Sequence, residues 1–534
     1  MSGTAAPLRW LIVGSFSAAP TGRITPVSGE RFSNVMKKVG PKLGIDVADR
    51  IGADTLRHVE LSFSRLRDFR AADVIAADDT LRQLDELASR LDKGKATGDP
   101  AAAVERIAGP GVLSKTLRGE TAPATPALAP TSTPAGDDAP TATAQTPAET
   151  SGDGIDAIFS KVAAAPVSTS SEAKSAVSSF IGAMRATGSA QRTSATERDK
   201  ATDAASLIRQ AVRETVAEVL EHPRVRELEV AWRGLSAVVA AAPGTDDMAI
   251  DLLDAVPGDA VAIDHALSRP GMDRADAVFV SSPVDDTAQL RALADVGARH
   301  HVPVVVEIPD GLAGLGDGND DEPEAWTELR ADGRTAYLAA VANPPALYEE
   351  PAPYARVRFG AAAPAIAAMT AASVGRTAIP ADVLGGRGEW TSPAAHDVQI
   401  HGRVLTIPTA SFRDVAAQQR AAARGVILLG SEAGRPAVRL SACPTVGGGS
   451  NAALPGRIVA GRATRLAHQV RQEHPTANSA ELAAALDEAK GRLLPKADTS
   501  AVALTVRTDG EDVKVDGSIG ANLAGASFKF SSDV

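Results

Sequence analysis

The chain has 534 residues, enough for more than one core, and pairs a 44% hydrophobic content with only 3% aromatics, so its cores are built from Ala, Val, Leu and Ile and offer few stacking platforms for a ligand. A formal net charge of −11, with no Lys/Arg run interleaved with aromatics, excludes a nucleic-acid binder that works through a basic field. The single cysteine, Cys443, excludes an intrachain disulfide framework and any Cys-rich zinc site, and no apolar run reaches the length of a signal segment or a membrane span, so a cytoplasmic protein without membrane insertion is expected.

Residues 8–16, LRWLIVGSF, read as a strand buried on both faces and ended by Pro20 and Gly22. A short helix is expected at 31–38 and a half-buried strand at 59–63. One long helix is expected over 69–91, with Val74, Ile75, Leu81, Leu84, Leu87 and Leu91 on one side. These elements make a small α/β unit, residues 1–120. Residues 121–154 are almost entirely Ala, Pro, Thr, Ser, Gly and Asp without periodic apolar positions. They bury too little to offset their ordering entropy and read as a flexible linker. Beyond it, Ile155, Ile158, Phe159 and Val162 form a brief apolar stripe and Val177, Phe180, Ile181 and Met184 another, so residues 155–200 read as docking helices.

Residues 201–534 read as a larger domain opened by two helices. The first carries Leu207, Ile208, Ala211, Val212, Thr215, Val216, Val219 and Leu220 on one face. Pro223 cannot continue that helix but suits the first turn of the next, so His222-Pro223 is a corner. The second helix then resumes with Val225, Leu228, Trp232, Leu235 and Val239 at steps of three and four. Apolar runs at 248–253, 277–281, 302–308 and 336–342, with a helix at 288–299, predict a largely parallel, twisted sheet covered on both faces. A helix is expected at 359–372, a hairpin at 398–407 about His401-Gly402, strands at 425–429 and 437–441, and helices at 458–472 and 479–493. Closing strands at 501–507, 513–519 and 526–530 complete the chain. The fold class is α/β: a small N-terminal unit joined by a flexible linker to a larger α/β domain with C-terminal β-strands.

Chemistry-bearing motifs are scarce. There is no phosphate loop, nucleophile elbow or zinc-protease helix. The run Gly447-Gly448-Gly449-Ser450 reads as a mobile loop rather than an anion cradle. Asp317, Asn319, Asp321 and Glu328 occupy calcium-loop positions, but Glu322 stands where the sharp turn needs Gly, which favours a solvated acidic loop. His300-His301 reads as a helix terminus and Cys443 as a small buried hydrophobe. Glu307 and Asp310 follow the VPVVV strand, where open α/β sheets place active sites at strand carboxyl ends. They carry the alternative reading, an α/β enzyme. No metal or cofactor is expected.

The run HPRVRELEVAWRGLSAVV at 222–239 closely resembles the H-P-x-x-x-x-L-E-x-x-W-R-G-L signature of the large subunit of type VI secretion contractile sheaths, carried here by Pro223, Leu228, Glu229, Trp232, Arg233, Gly234 and Leu235. LAHQVR at 466–471 and the closing run from Val506 are similar to the same family. LIVGSFS at 11–17, RFSNVMKK at 31–38 and HVELSFSRLRDF at 58–69 resemble the small sheath subunit. The resemblance implies both subunits fused in one chain, a structural protomer and not an enzyme. Such a protomer polymerises with itself around an inner tube on a baseplate and drives the tube outward on contraction. It further implies strand exchange between protomers, for which Val502, Leu504, Val506, Val513 and Val515 are the candidates. Recognition of Ile155, Ile158, Phe159 and Val162 by an AAA+ unfoldase is also implied. A phage-tail-like sheath of another contractile particle is the related alternative. The family's small subunit carries a further strand before the LIVGSFS strand, and the seven residues preceding Leu8 are too few to supply it.

Overall fold

The structure, a computed structural model, describes residues 6–95, 98–120, 198–268, 274–316, 321–400, 402–447, 453–509, 512–524 and 527–533. The linker at 121–154 and the stripes at 155–162 and 177–184 lie outside the described residues. The chain divides into two compact units, one of residues 1–48, 55–79 and 213–534 and the other of residues 49–54 and 80–212.

The first unit begins with β1 (Leu8–Gly14), β2 (Ile24–Pro26), α1 (Phe32–Val39), β3 (Lys42–Ala48), β4 (Leu56–Ser62) and α2 (Ala71–Ala77). β3 and β4 form an antiparallel pair in which Leu43, Ile45, Val47, Val59 and Leu61 are buried on alternate positions. The long helix expected over 69–91 is broken at Asp78. Asp78 takes an extended conformation at the end of α2, and its carboxylate accepts two hydrogen bonds from Arg57 of β4, at 2.8 and 2.7 Å. That pair fixes the break.

The larger part of the first unit supplies β5 (Met248–Asp254), β6 (Ala277–Val280), β7 (Val304–Glu307) and β8 (Leu338–Ala342), the hairpin β9 (Ala346–Glu350) and β10 (Arg356–Phe359), and several shorter strands. These are β11 (Trp390–Thr391), β12 (His396–Ile400), β13 (Arg403–Ile407), β14 (Val426–Leu428), β15 (Gly430–Ser431) and β16 (Ala437–Arg439). The main sheet runs β14-β8-β7-β6-β1-β5-β2, parallel throughout except for β2 at the edge. β1 is therefore an interior strand of this sheet. It pairs in seven-residue register with β5 on one side and with β6 on the other, and β5 and β6 meet only through it. Leu8, Trp10, Leu11, Ile12 and Val13 are all buried, which contributes roughly 10 kcal/mol of apolar burial.

Polar groups fix where β1 enters and leaves. Asp276, 1% exposed, accepts the Arg9 backbone N–H at 2.9 Å and pairs with Arg462 at 2.7 Å and with Arg465. The fully buried Arg462 also donates to the Pro7 and Ala6 carbonyls. At the other end, the buried Asp254 accepts from the backbone N–H groups of Phe16, Ser17 and Thr21 and from the hydroxyls of Ser17 and Thr21, at 2.7–3.0 Å. The GSFSAAPT turn is thereby wrapped round the end of β5.

In the second unit α3 (Asp79–Asp92), α4 (Pro100–Ala108) and α5 (Val112–Leu117) pack with the helix over 198–212. Asp99 caps α4 ahead of Pro100, and Gly111 crosses so close to Gly52 that a Cβ at 111 would lie 2.2 Å from the Gly52 carbonyl carbon. The helix over 198–221, α6, ends at the expected corner. Pro223 opens α7 (Pro223–Ala241), and the His222 ring caps it by accepting the Arg224 N–H. One face of the main sheet is covered by α8 (Ala260–Leu267), α9 (Thr287–His300), α10 (Glu324–Ala331) and α12 (Val415–Ala423). The other face is covered by α7 and α11 (Ala362–Thr377).

If β1 is the shared neighbour of β5 and β6, residues 198–534 expressed alone should aggregate, and co-expression with residues 1–120 should return them to solution as a complex. Size-exclusion chromatography of the two preparations checks this, and a monodisperse 198–534 fragment with the near-UV circular dichroism of the full chain would contradict it.

Candidate functional site

The signature on α7 forms a buried ionic centre. α7 is buried nearly all round because its apolar stripe faces the core while its polar stripe meets the β9–β10 hairpin. Glu229, 0% exposed, is contacted by three arginines: Arg233 at 2.7 Å, Arg356 at 2.8 Å and Arg358 at 2.9 Å. Arg358 reaches on to Glu221 and to the Leu220 carbonyl at the end of α6, closing the corner at Pro223. Arg356 reaches Glu350 and the Phe69 carbonyl, and Glu350 accepts the Ala71 N–H at the start of α2. Arg233 lies over the Tyr348 ring at 3.8 Å; burial depresses its pKa, and Glu229 opposes that shift.

The rest of the signature packs. Trp232 donates its indole N–H to the Phe16 carbonyl at 3.1 Å and meets the Phe16 and Phe32 rings edge-on, so it grips the turn that follows β1. At Gly234 a Cβ would lie 3.2 Å from Pro364, which lets α7 and α11 cross closely. Leu228 and Leu235 are buried and Pro223 is exposed at the corner. The motif is thus a joint: it binds the N-terminal strand, the N-terminal helices and the β9–β10 hairpin to one helix.

The chain closes in an antiparallel sheet of β17 (Val502–Asp509), β18 (Asp512–Ile519) and β19 (Phe528–Asp533) in that order. Val502, Val515, Ile519 and Phe528 are buried towards α13 (Leu454–Glu473) and α14 (Ser479–Ala489), whereas Leu504, Val506 and Val513 are half-buried. On β18, Gly517 makes room for the Phe530 ring directly across on β19; a Cβ there would fall 2.0 Å from that ring. Among the described residues β17 and β19 each have a neighbour on one side only. Two unpaired backbone edges are therefore on offer.

Among the described residues the enzyme candidates Glu307 and Asp310 each have a structural partner. Asp310 pairs with Arg413 at 2.8 Å. Glu307 is 9% exposed, accepts the Ala362 N–H at 2.5 Å and so caps α11, and burial pushes its carboxyl up to about 7. His301 caps α9 in the left-handed conformation and meets the Tyr337 hydroxyl at 3.1 Å, while burial pushes it down to about 4, so it is neutral. His300 meets Asp264 at 2.7 Å. Cys443 is buried, its thiol pushed up to about 12. Residues 448–450 of the glycine run, 317–320 of the acidic loop, and the stripe of Ile155, Ile158, Phe159 and Val162 lie outside the described residues. The arginines of β10 and the acids Asp254, Asp276 and Glu350 were not foreseen as site residues. Their charges suggested surface, and the apolar runs beside them were the only local signal.

Residues 6–107 match the family model described as "Type VI secretion system, VipA". Two solved structures of the anti-feeding prophage are similar to this chain. Its six-fold-symmetrised baseplate matches at 13% identity and a TM-score of 0.34, covering 57% of this chain and 76% of that one. Its helical sheath in the contracted state matches at 15% identity and a TM-score of 0.32, covering 52% and 71%. No curated protein matches the sequence.

Replacing Glu229 by Gln removes the charge that three buried guanidinium groups share. It should cost about 3–5 kcal/mol in urea unfolding, and a loss below about 1 kcal/mol would show the cluster to be dispensable. Glu307 has the opposite sign. Its raised folded-state pKa means that the folded chain holds the proton more tightly, so stability falls as pH rises from about 4.5 to about 7, by about 3 kcal/mol in all. Glu307→Gln should raise the melting temperature at pH 8 and leave it nearly unchanged at pH 4.5; an equal effect at both would refute the assignment.

Proposed function

We propose that this chain, which carries the type VI secretion sheath small-subunit family at residues 6–107, is a sheath protomer holding small and large subunits in one polypeptide. The observation that carries the reading is the place of β1: the matched segment supplies an interior strand of the larger sheet, and the α7 signature grips the turn behind it. Such a chain polymerises with other copies and associates with a baseplate. Its role is mechanical. The polymer surrounds an inner tube in the cytoplasm and drives it outward on contraction, and an AAA+ unfoldase takes it apart by binding Ile155, Ile158, Phe159 and Val162. Among the described residues no helix is long and apolar enough to cross a membrane.

Assembly proceeds by strand addition at the C-terminal sheet along β17, which carries Val502, Leu504 and Val506; of the expected pairing residues, Val513 and Val515 lie on the central strand β18, whose two edges are already taken by β17 and β19. The open edge of β17 supports this, because an unpaired row of N–H and C=O groups favours a further strand. Successive residues of an antiparallel strand point their N–H groups to opposite edges, so of the neighbours Leu504 and Thr505 one faces β18 and the other faces out. Proline at the outward position should abolish sedimentable polymer with melting unchanged, while proline at the inward position should lower the melting temperature. If both variants polymerise like the parent, strand addition at β17 is wrong.

A further inference from the structure

A cavity of about 600 Å³ opens at the carboxyl ends of β6 and β7, beneath the start of α7 and the N-terminus of α11. It lies where the strand order reverses: from β1 the chain builds β5 on one side, then crosses to build β6, β7 and β8 on the other. Open α/β sheets bind ligands at such a point. Pro257, Pro283, Pro344 and Phe359 give it apolar walls.

Two polar groups on its lining are unfinished. The buried carboxylates of this unit are Glu229, Asp251, Asp254, Asp276, Glu307 and Glu350 among the described residues. Glu229, Asp251, Asp276 and Glu350 each pair with arginine, and Asp254 collects five hydrogen bonds. Glu307 has one backbone N–H and no cation. Ser281, 0% exposed and on the same lining, has an Oγ without any partner. A buried carboxylate lacking a counter-ion and a buried hydroxyl oxygen lacking a donor are both costly when empty, and an ammonium can donate to both.

We propose that this cavity is a binding site for a primary ammonium group on an aliphatic stem, with Glu307 and Ser281 holding the ammonium and the proline and Phe359 walls holding the stem. The other charges around it, mostly acidic, disfavour an anion. Glu227 accepts only the Ser15 hydroxyl, Glu221 is engaged by Arg358, Asp310 adds to the negative field at Glu307, and Arg226, exposed at the rim, makes no ion pair with Glu307. The ammonium comes from a lysine of another chain or from a small free amine. The site does not depend on the sheath reading.

The probe is n-butylamine, titrated into the full-length chain by ligand-observed NMR against n-butanol, its neutral counterpart. Because Glu307 must be ionised to hold the amine, and its carboxyl lies at about 7, butylamine should bind about tenfold more tightly at pH 8 than at pH 6, while butanol binds weakly and equally at both. Glu307→Gln should remove the pH dependence and most of the affinity, and Ser281→Ala should weaken binding several-fold. Butylamine binding that equals butanol binding, or that is the same at the two pH values, overturns the proposal, and this comparison on the parent chain decides even if a variant fails to fold. Repeating the titration on sedimented polymer separates the sources: loss of butylamine binding there marks a neighbour's lysine, and its retention marks a free amine.

Discussion

The structure depends on one insertion. β1 is the shared neighbour of β5 and β6, so the main sheet is continuous only when a strand from the start of the chain has crossed more than two hundred residues of sequence to enter it. Hydrogen bonds on both edges and five buried side chains hold it there, and Asp276 and Asp254 set its two ends. Were the two parts separate chains, the same contact would have to form between them. Here the covalent link makes it intramolecular, at the high effective concentration that a tether provides, and fixes the ratio of the two parts at one to one.

Charge, rather than apolar area alone, selects this arrangement. Hydrophobic packing tolerates shifts in register, whereas a buried carboxylate that meets three guanidinium groups does not, because any shift leaves ions unpaired in a low-dielectric interior. Glu229 gathers Arg233, Arg356 and Arg358, and through them the α6–α7 corner, the β9–β10 hairpin and the start of α2 are tied to one point. Asp276 does the same for α13 and the entry of β1.

The α/β class, the corner at Pro223, the parallel strands and the three closing strands were legible because their apolar residues recur with the period of a helix or a strand. What was hidden was hidden for physical reasons. β9 and β10, ALYEE and RVRF, look like surface because Glu350, Arg356 and Arg358 are charged, and only the fold pairs them. The break at Asp78 depends on Arg57, twenty-one residues away, and leaves no mark in the helical periodicity of 69–91. β3 alternates Leu43, Ile45 and Val47, but Gly44 and Asp46 between them blur the pattern. That β1 joins the larger sheet rather than a sheet of its own cannot be seen locally, since any doubly buried strand has the same sequence. The resemblance located Glu229 and Arg233, and geometry supplied their role.

Among the described residues the first unit presents unpaired edges at β17 and β19. A protomer that polymerises by strand addition, as proposed, needs such edges. The most direct test is negative-stain electron microscopy of the purified full-length chain, alone and with the proposed inner-tube protein. The account predicts hollow helical tubes, and a monodisperse monomer under both conditions would contradict it.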